Sequence, residues 1–161
     1  MILVNLLKKL STRERTKFQE FVASPFFNKN QKIQQLCSIL LAFAPDFDPA
    51  RINKVSIYKA IYKKGPYEEL RLNNLISDLV QLLYDYLSYS QLEHRETQKK
   101  ALLLEALQTR GLYEQIPRQA KRYQKIQEKQ PYRNQTYFWD SFLLHEELDQ
   151  LSLSSGKRGY D

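Results

Sequence analysis

Cysteine, glycine, histidine and tryptophan are nearly missing from this sequence: among 161 residues there are one Cys, four Gly, two His and one Trp. A lone Cys37 excludes an internal disulfide and suits a reducing compartment, so a cytoplasmic setting is expected. The glycines, at 65, 111, 156 and 159, never cluster, which removes any glycine-rich phosphate loop. Their scarcity, with few alternating β-branched stretches, argues against sheets. His94 and His145 are far apart, and His145-Glu146-Glu147 lacks the second histidine four residues on that a zinc-binding helix needs. No metal and no cofactor are therefore expected. No apolar run approaches the ~20 residues of a membrane span. The opening MILVNLL has neither a basic segment before it nor a small-residue cleavage site after it, so it reads as a short amphipathic helix over residues 2–9. Catalytic pairings are absent as well. Cys37 falls on an apolar helix face, as an inert buried thiol does. Asp78 and Asp85 share a helix face, but Leu82 separates them and nothing supplies an acid partner. The chain is expected not to be an enzyme.

What remains is helix. Apolar content of 42% suffices for a real core in a chain of this length. The organising stretch is residues 67–92, where Leu72, Leu75, Ile76, Leu79, Leu83, Tyr86 and Leu87 recur at helical spacing and no Gly or Pro interrupts. Leu70, Val80, Leu82 and Tyr84 widen that stripe, which predicts a central helix covered on more than one side. Before it, Leu10-Ser11-Thr12-Arg13-Glu14 is a capping box opening a helix near residues 12–23, carrying Phe18, Phe21 and Val22 and ended by Ser24-Pro25. Phe26 and Phe27 are expected to tuck under the neighbouring helices. Asn28 or Asn30 caps a helix with Ile33, Leu36, Cys37, Leu40 and Leu41. Phe47 anchors the turn at Pro45-Asp46-Phe47-Asp48-Pro49. Asn53 caps a helix with Val55, Tyr58, Ile61 and Tyr62, closed by Gly65-Pro66.

After Glu93-His94-Arg95 the apolar stripe fades. A helix through Leu102, Leu103, Leu104 and Leu107 reaches a cap at Gly111, and a further one carries Ile116, Ala120, Tyr123 and Ile126, with Pro117 in its first turn. Pro131 ends it. Asn134 caps a last helix with Tyr137, Phe138, Phe142, Leu144, Leu148 and Leu151. The expected fold is all-α, with antiparallel helical hairpins around the long central helix. Residues 1–153 form one helical module, 1–92 as an N-terminal bundle and 95–153 as repeat-like helices, and 154–161 form a disordered tail. Residues 100–133 lie weakly on a 34-residue tetratricopeptide frame through Leu103, Tyr123, Ile126 and Pro131.

Charge is uneven. The formal net charge is +7. Residues 94–133 hold ten Lys/Arg against four Asp/Glu, whereas residues 134–161 hold two against five. Arg118, Lys121, Arg122, Lys125, Lys129 and Arg133 fall three and four apart, mostly on one helix side opposite Ala120, Tyr123 and Ile126. This stripe reads either as a solvated face, partly neutralised by Glu146, Glu147 and Asp149, or as a contact for phosphates or an acidic peptide with Tyr132 and Tyr137 for stacking. A second nucleic-acid element, a helix-turn-helix with Arg71, Asn73 and Asn74 early in its second helix, conflicts with the length and apolarity of that helix. Half-wet tyrosines suit an interface or a bundle boundary equally.

Taken in order, the segments NLLKKLSTRERTKFQEFVASPFFNKN, PDFDPARINKVSIYKAIY, LRLNNLISDLVQLLYDYL, LLLEALQTRGLYEQ and PYRNQTYFWDSFLLHEEL resemble the N-terminal part of a family of large all-helical proteins of Bacteroidetes. The resemblance covers nearly the whole chain. It implies several hundred further residues of tetratricopeptide-like helices, so that this chain is a piece of a longer scaffold, and it supplies no catalytic positions. The function expected is a non-enzymatic helical protein–protein interaction module. The alternative is a nucleic-acid-binding module using the basic stripe. Self-association through an uncovered C-terminal helix, at Phe142, Leu144, Leu148 and Leu151, is a third outcome.

Overall fold

The structure, a computed structural model, describes residues 2–63, 65–129, 133 and 135–154. It is all-helical, with no strand among the described residues. The chain divides into two compact units, Met1–Tyr89 and Ser90–Asp161.

In the first unit α1 (Ile2–Lys9) turns Leu3, Val4 and Leu7 inward and leaves both lysines in water. α2 (Thr12–Ala23) begins on the capping box that its sequence spells: Ser11 Oγ accepts from Glu14 N–H at 3.3 Å, and Glu14 Oε2 accepts from Ser11 N–H at 2.7 Å. Those two hydrogen bonds favour the ionised carboxylate and hold the Glu14 carboxyl below its usual range. Ser24, extended ahead of Pro25, stops the helix. The connection that follows is built around Asn28, a buried side chain whose amide donates to the Val22 carbonyl at 2.9 Å and the Asn30 carbonyl at 3.2 Å. Its Oδ1 accepts the Asn30 N–H at 2.9 Å, and Asn30 in turn caps α3 (Gln31–Leu41) through Lys32 N–H.

α3 buries Ile33, Leu36, Cys37 and Leu40. Phe47 closes the next turn, with no exposed surface and a positive φ of 47°, while the Arg15 guanidinium lies 5.4 Å over its ring. Asn53 Oδ1 caps α4 (Lys54–Tyr62) by accepting from both Val55 and Ser56 N–H. Ile57 rather than Val55 joins Tyr58 and Ile61 on its buried face. Lys63 takes the left-handed conformation at the C-cap, φ 52°, two residues before Gly65, to which the sequence points.

α5 (Glu69–Glu93) is the longest helix, and Leu72, Leu75, Ile76, Leu79, Leu83 and Tyr86 are its buried face. Each such leucine contributes ~1.5–3 kcal/mol by leaving water. The broad coverage expected for this helix is corrected: Leu70 is 74% exposed, Tyr84 is exposed, and only Val80, Leu82 and Leu87 flank the core. One face from Leu72 to Tyr86 does the packing, and Leu70 and Tyr84 meet solvent.

In the second unit α6 (Glu96–Thr109) ends in a Schellman motif. Gly111, φ 69°, donates to the Gln108 carbonyl, and Leu112 N–H reaches back to the Leu107 carbonyl at 2.9 Å. A 3-10 turn at Tyr113–Gln115 leads into α7 (Ile116–Glu128), with Pro117 second in the helix, where a missing N–H breaks no hydrogen bond. α8 (Gln135–Ser154) completes the unit, and α6 packs on both α7 and α8. Among the described residues the unit's core is Leu104, Ile116 and Tyr123, with Leu107 and Leu148 packed against them. Of the positions that carry the 34-residue frame, Tyr123 is buried, Leu103 and Ile126 are exposed, and Pro131 lies outside the described residues. The expected cap Asn134 and the tail from 155 onward also lie outside them.

Candidate interaction surfaces

α7 is a strongly two-faced helix. At ~100° per residue, Arg118, Lys121, Arg122 and Lys125 fall in a sector roughly 100° wide, diametrically opposite the buried Ile116, Ala120 and Tyr123. All four are exposed, as is Lys129 just past the helix end. Among the described residues none of them is held in an ion pair. Of the carboxylates considered from sequence, Glu146 makes no ion pair with the stripe among the described residues, and the Glu147 side chain lies outside them. The reason is geometric: α7 turns its uncharged side toward the core that Leu148 of α8 joins, so its cations point away. Arg133 stands apart from the stripe, its guanidinium 5.8 Å from the Tyr137 ring. Tyr132 lies outside the described residues. On the core side the Lys100 ammonium sits 5.3 Å over the Tyr123 ring, and burial pushes the Tyr123 phenol above its ordinary range, with Arg122 opposing.

α8 carries the other surface. Phe138, Trp139 and Phe142 are 61%, 57% and 56% exposed. On the same angular count they share a sector roughly 100° wide with Glu146, about 120° round the helix from the half-buried Tyr137, Ser141 and Leu148. Trp139 and Phe142 rings lie 5.8 Å apart, and Phe138, whose ring meets Tyr137 edge-on at 5.5 Å, shares their sector. The exposed face expected from sequence is corrected here. Leu148 turns to the core, the side chains of Leu144 and Leu151 lie outside the described residues, and the uncovered positions begin a turn earlier, at Phe138 and Trp139.

In the first unit two of the candidate base readers, Arg71 and Asn73, are tied into α4, while Asn74 is exposed. Lys54 Nζ donates to Glu69 at 3.1 Å and to Asn73 Oδ1 at 3.3 Å. The Arg71 guanidinium lies 4.3 Å from the Tyr62 ring and 3.6 Å from Glu68, and a hydrogen bond to Tyr58 raises its pKa further. Lys32 of α3 lies 4.5 Å over the same Tyr62 ring, and Tyr58 stacks on it at 4.5 Å. Sequence reasoning missed this cluster; Tyr58 and Tyr62, four apart, were its only trace. A second missed feature is an aromatic ladder. Phe21 stacks on Phe27 at 3.9 Å, Phe27 meets Tyr89 edge-on at 5.0 Å, and Phe26 meets Phe27 edge-on at 4.9 Å. Phe26, expected inside, is 84% exposed, because Asn28 is the residue that turns inward from this loop.

Cys37 is buried, and burial pushes its thiol up to about 12, the inert state expected. Asp85 accepts from Gln81 at 3.1 Å on an exposed face. Among the described residues no group of three His, Cys, Asp or Glu gathers where it would hold a metal ion, and no helix is long and apolar enough to cross a membrane. Compared with protein-family models, with curated proteins and with solved structures, the chain finds no match in any of the three.

Proposed function

We propose that this chain is a non-enzymatic helical module for protein–protein interaction, working in the cytoplasm as part of a larger tetratricopeptide-like scaffold of the Bacteroidetes family it resembles. One observation carries the reading: three large aromatic side chains, Phe138, Trp139 and Phe142, share a solvent face of α8. With ~150–250 Å² on each ring, they leave on the order of 350 Å² of contiguous apolar surface in water. That is nearly half of the ~800 Å² one partner contributes to a standard interface. Phe and Trp are also the residues that concentrate at the centres of such interfaces.

The test is a variant with Phe138, Trp139 and Phe142 all changed to Ser. These side chains are solvent-facing, so helicity should hold while capture of the partner from the source cells is lost. Capture that persists unchanged in the triple variant would overturn the reading.

The unpaired cations of α7 favour a second reading, a nucleic-acid-binding module. About five phosphate contacts give a salt slope near −4.5, hence roughly 500-fold weaker duplex binding between ~50 and ~200 mM salt. Changing Lys121, Arg122 and Lys125 to Gln should then weaken every sequence alike and flatten that slope. Binding that is absent, or indifferent to those changes, removes this reading.

A further inference from the structure

The two surfaces of the second unit are opposite in sign and belong to different helices. α7 holds Arg118, Lys121, Arg122 and Lys125 against one carboxylate, Glu128. α8 has no Lys or Arg in its sequence, and the exposed Glu146 shares the sector of Phe138, Trp139 and Phe142. Among the described residues α7's cations point away from the core that Leu148 joins and are in no ion pair, so within one chain they do not meet the exposed α8 face. Each face therefore has a complement on the same protein that it reaches only on another copy.

We infer that α8 of one copy docks its Phe138–Trp139–Phe142 face and the adjoining Glu146 onto the cationic face of α7 in a second copy. The inference rests on reading the α8 aromatics as a protein contact, and it names their partner. Size fits: at ~1.5 Å per residue α7 is about 20 Å long and α8 about 30 Å, so the whole cationic stripe lies within the span of one α8. Chemistry fits too. Arg118 and Arg122 guanidinium planes stack on Trp and Phe faces, and lysine stems cover ring surface while their ammonium groups reach carboxylates. Because donor face and acceptor face differ, the contact is head-to-tail and leaves one unused face of each kind at the ends of the assembly.

The test exploits that asymmetry. Wild type should associate with rising concentration, and about tenfold or more less tightly when salt is raised from low to high, as screened charge pairs require. Two variants are made: Lys121→Glu/Arg122→Glu/Lys125→Glu, which lacks the acceptor, and Trp139→Ser/Phe142→Ser, which lacks the donor. By sedimentation velocity each alone should be a monomer of wild-type helicity. Mixed one to one they should form a heterodimer and nothing larger, because the intact α8 of the first meets the intact α7 of the second and no other contact survives. A wild type that stays monomeric, either variant still oligomerising, or a mixture that yields no heterodimer each overturns the inference. A monomeric wild type that still captures a different protein through its α8 aromatics would leave the interaction-module reading standing while removing this one. Should a triple charge reversal perturb the fold, Glu146→Lys on α8 and Lys125→Glu on α7 supply a milder pair: each weakens association, and mixing the two restores it.

Discussion

Replacing Asn28 by Ala removes the amide that ties the connection between α2 and α3, and the consequence follows from the partners it leaves behind. The Asn30 carbonyl keeps Ile33 N–H, at 3.1 Å, as another donor. Val22 O and Asn30 N–H lose the partner that Asn28 supplies, at 2.9 Å each. An orphaned buried group costs ~1–3 kcal/mol, with the lower end fitting Asn30, which water reaches, so unit 1 should lose about 2–4 kcal/mol. Hydrogen exchange of α2 and α3 amides reads that loss locally, as protection lowered by roughly 30- to 700-fold. Asn28→Asp sharpens the test. At neutral pH its carboxylate still accepts from Asn30 N–H, but it turns its second oxygen toward the Val22 and Asn30 carbonyls, so it should be at least as destabilised as Ala. That environment raises the carboxyl's folded pKa above its unfolded value. Stability is then greatest when the acid is protonated and falls as pH rises through the folded pKa. An Ala variant with protection within about threefold of wild type, or an Asp variant as stable as wild type at neutral pH, would refute the reasoning.

Leu79→Ala should cost ~2–5 kcal/mol in chemical denaturation while Leu70→Ala, on the wet side of α5, stays near neutral; equal losses would mean α5 is covered on both faces. Ser11→Ala should cost ~0.5–2 kcal/mol of unit 1 stability. Because the Glu14 carboxyl is held below its ordinary value of 4.5, the wild-type capping box contributes above that pH and fades as acid protonates Glu14; the Ser11→Ala variant should show a shallower acid decline. Cys37, with its thiol pushed up to about 12, should resist thiol reagents at pH 8 until the chain unfolds. Its raised folded pKa also predicts stability that is full below pH 9.0 and lost on the way to about 12, and a Cys37→Ala variant should flatten that alkaline slope.

Local chemistry was the most legible part of the sequence. Ser11, Asn30, Asn53 and Gly111 cap the helices their patterns assign, because a cap depends on a few neighbouring residues. The buried face of α5 and the two faces of α7 follow from a 3.6-residue period alone. What depends on distant elements was hidden. Leu70 and Tyr84 share α5 with its core leucines, and only the placement of neighbours decides that they stay wet. The cations over Tyr62 come from α3 and α5, helices far apart in sequence. Apolar residues of α8 are spread round the helix, so periodicity did not separate Leu148, turned inward, from Phe138, Trp139 and Phe142, turned out. Continuous helical pattern through residues 89 and 90 masked the division between units, which falls inside α5. Of the expected stripe, Arg118, Lys121, Arg122 and Lys125 share one exposed face of α7, whereas Arg133, beyond the helix end, lies by the Tyr137 ring, a placement that helical periodicity does not reach.

Carbene footprinting tests the α8 surface most directly, because it reports each exposed side chain whether the partner is another copy or a different protein. The chain is labelled alone in dilute solution and again in an extract of its source cells. The account expects Phe138, Trp139 and Phe142 to lose label together in the extract. Labelling of all three at the level of the isolated dilute chain would contradict it.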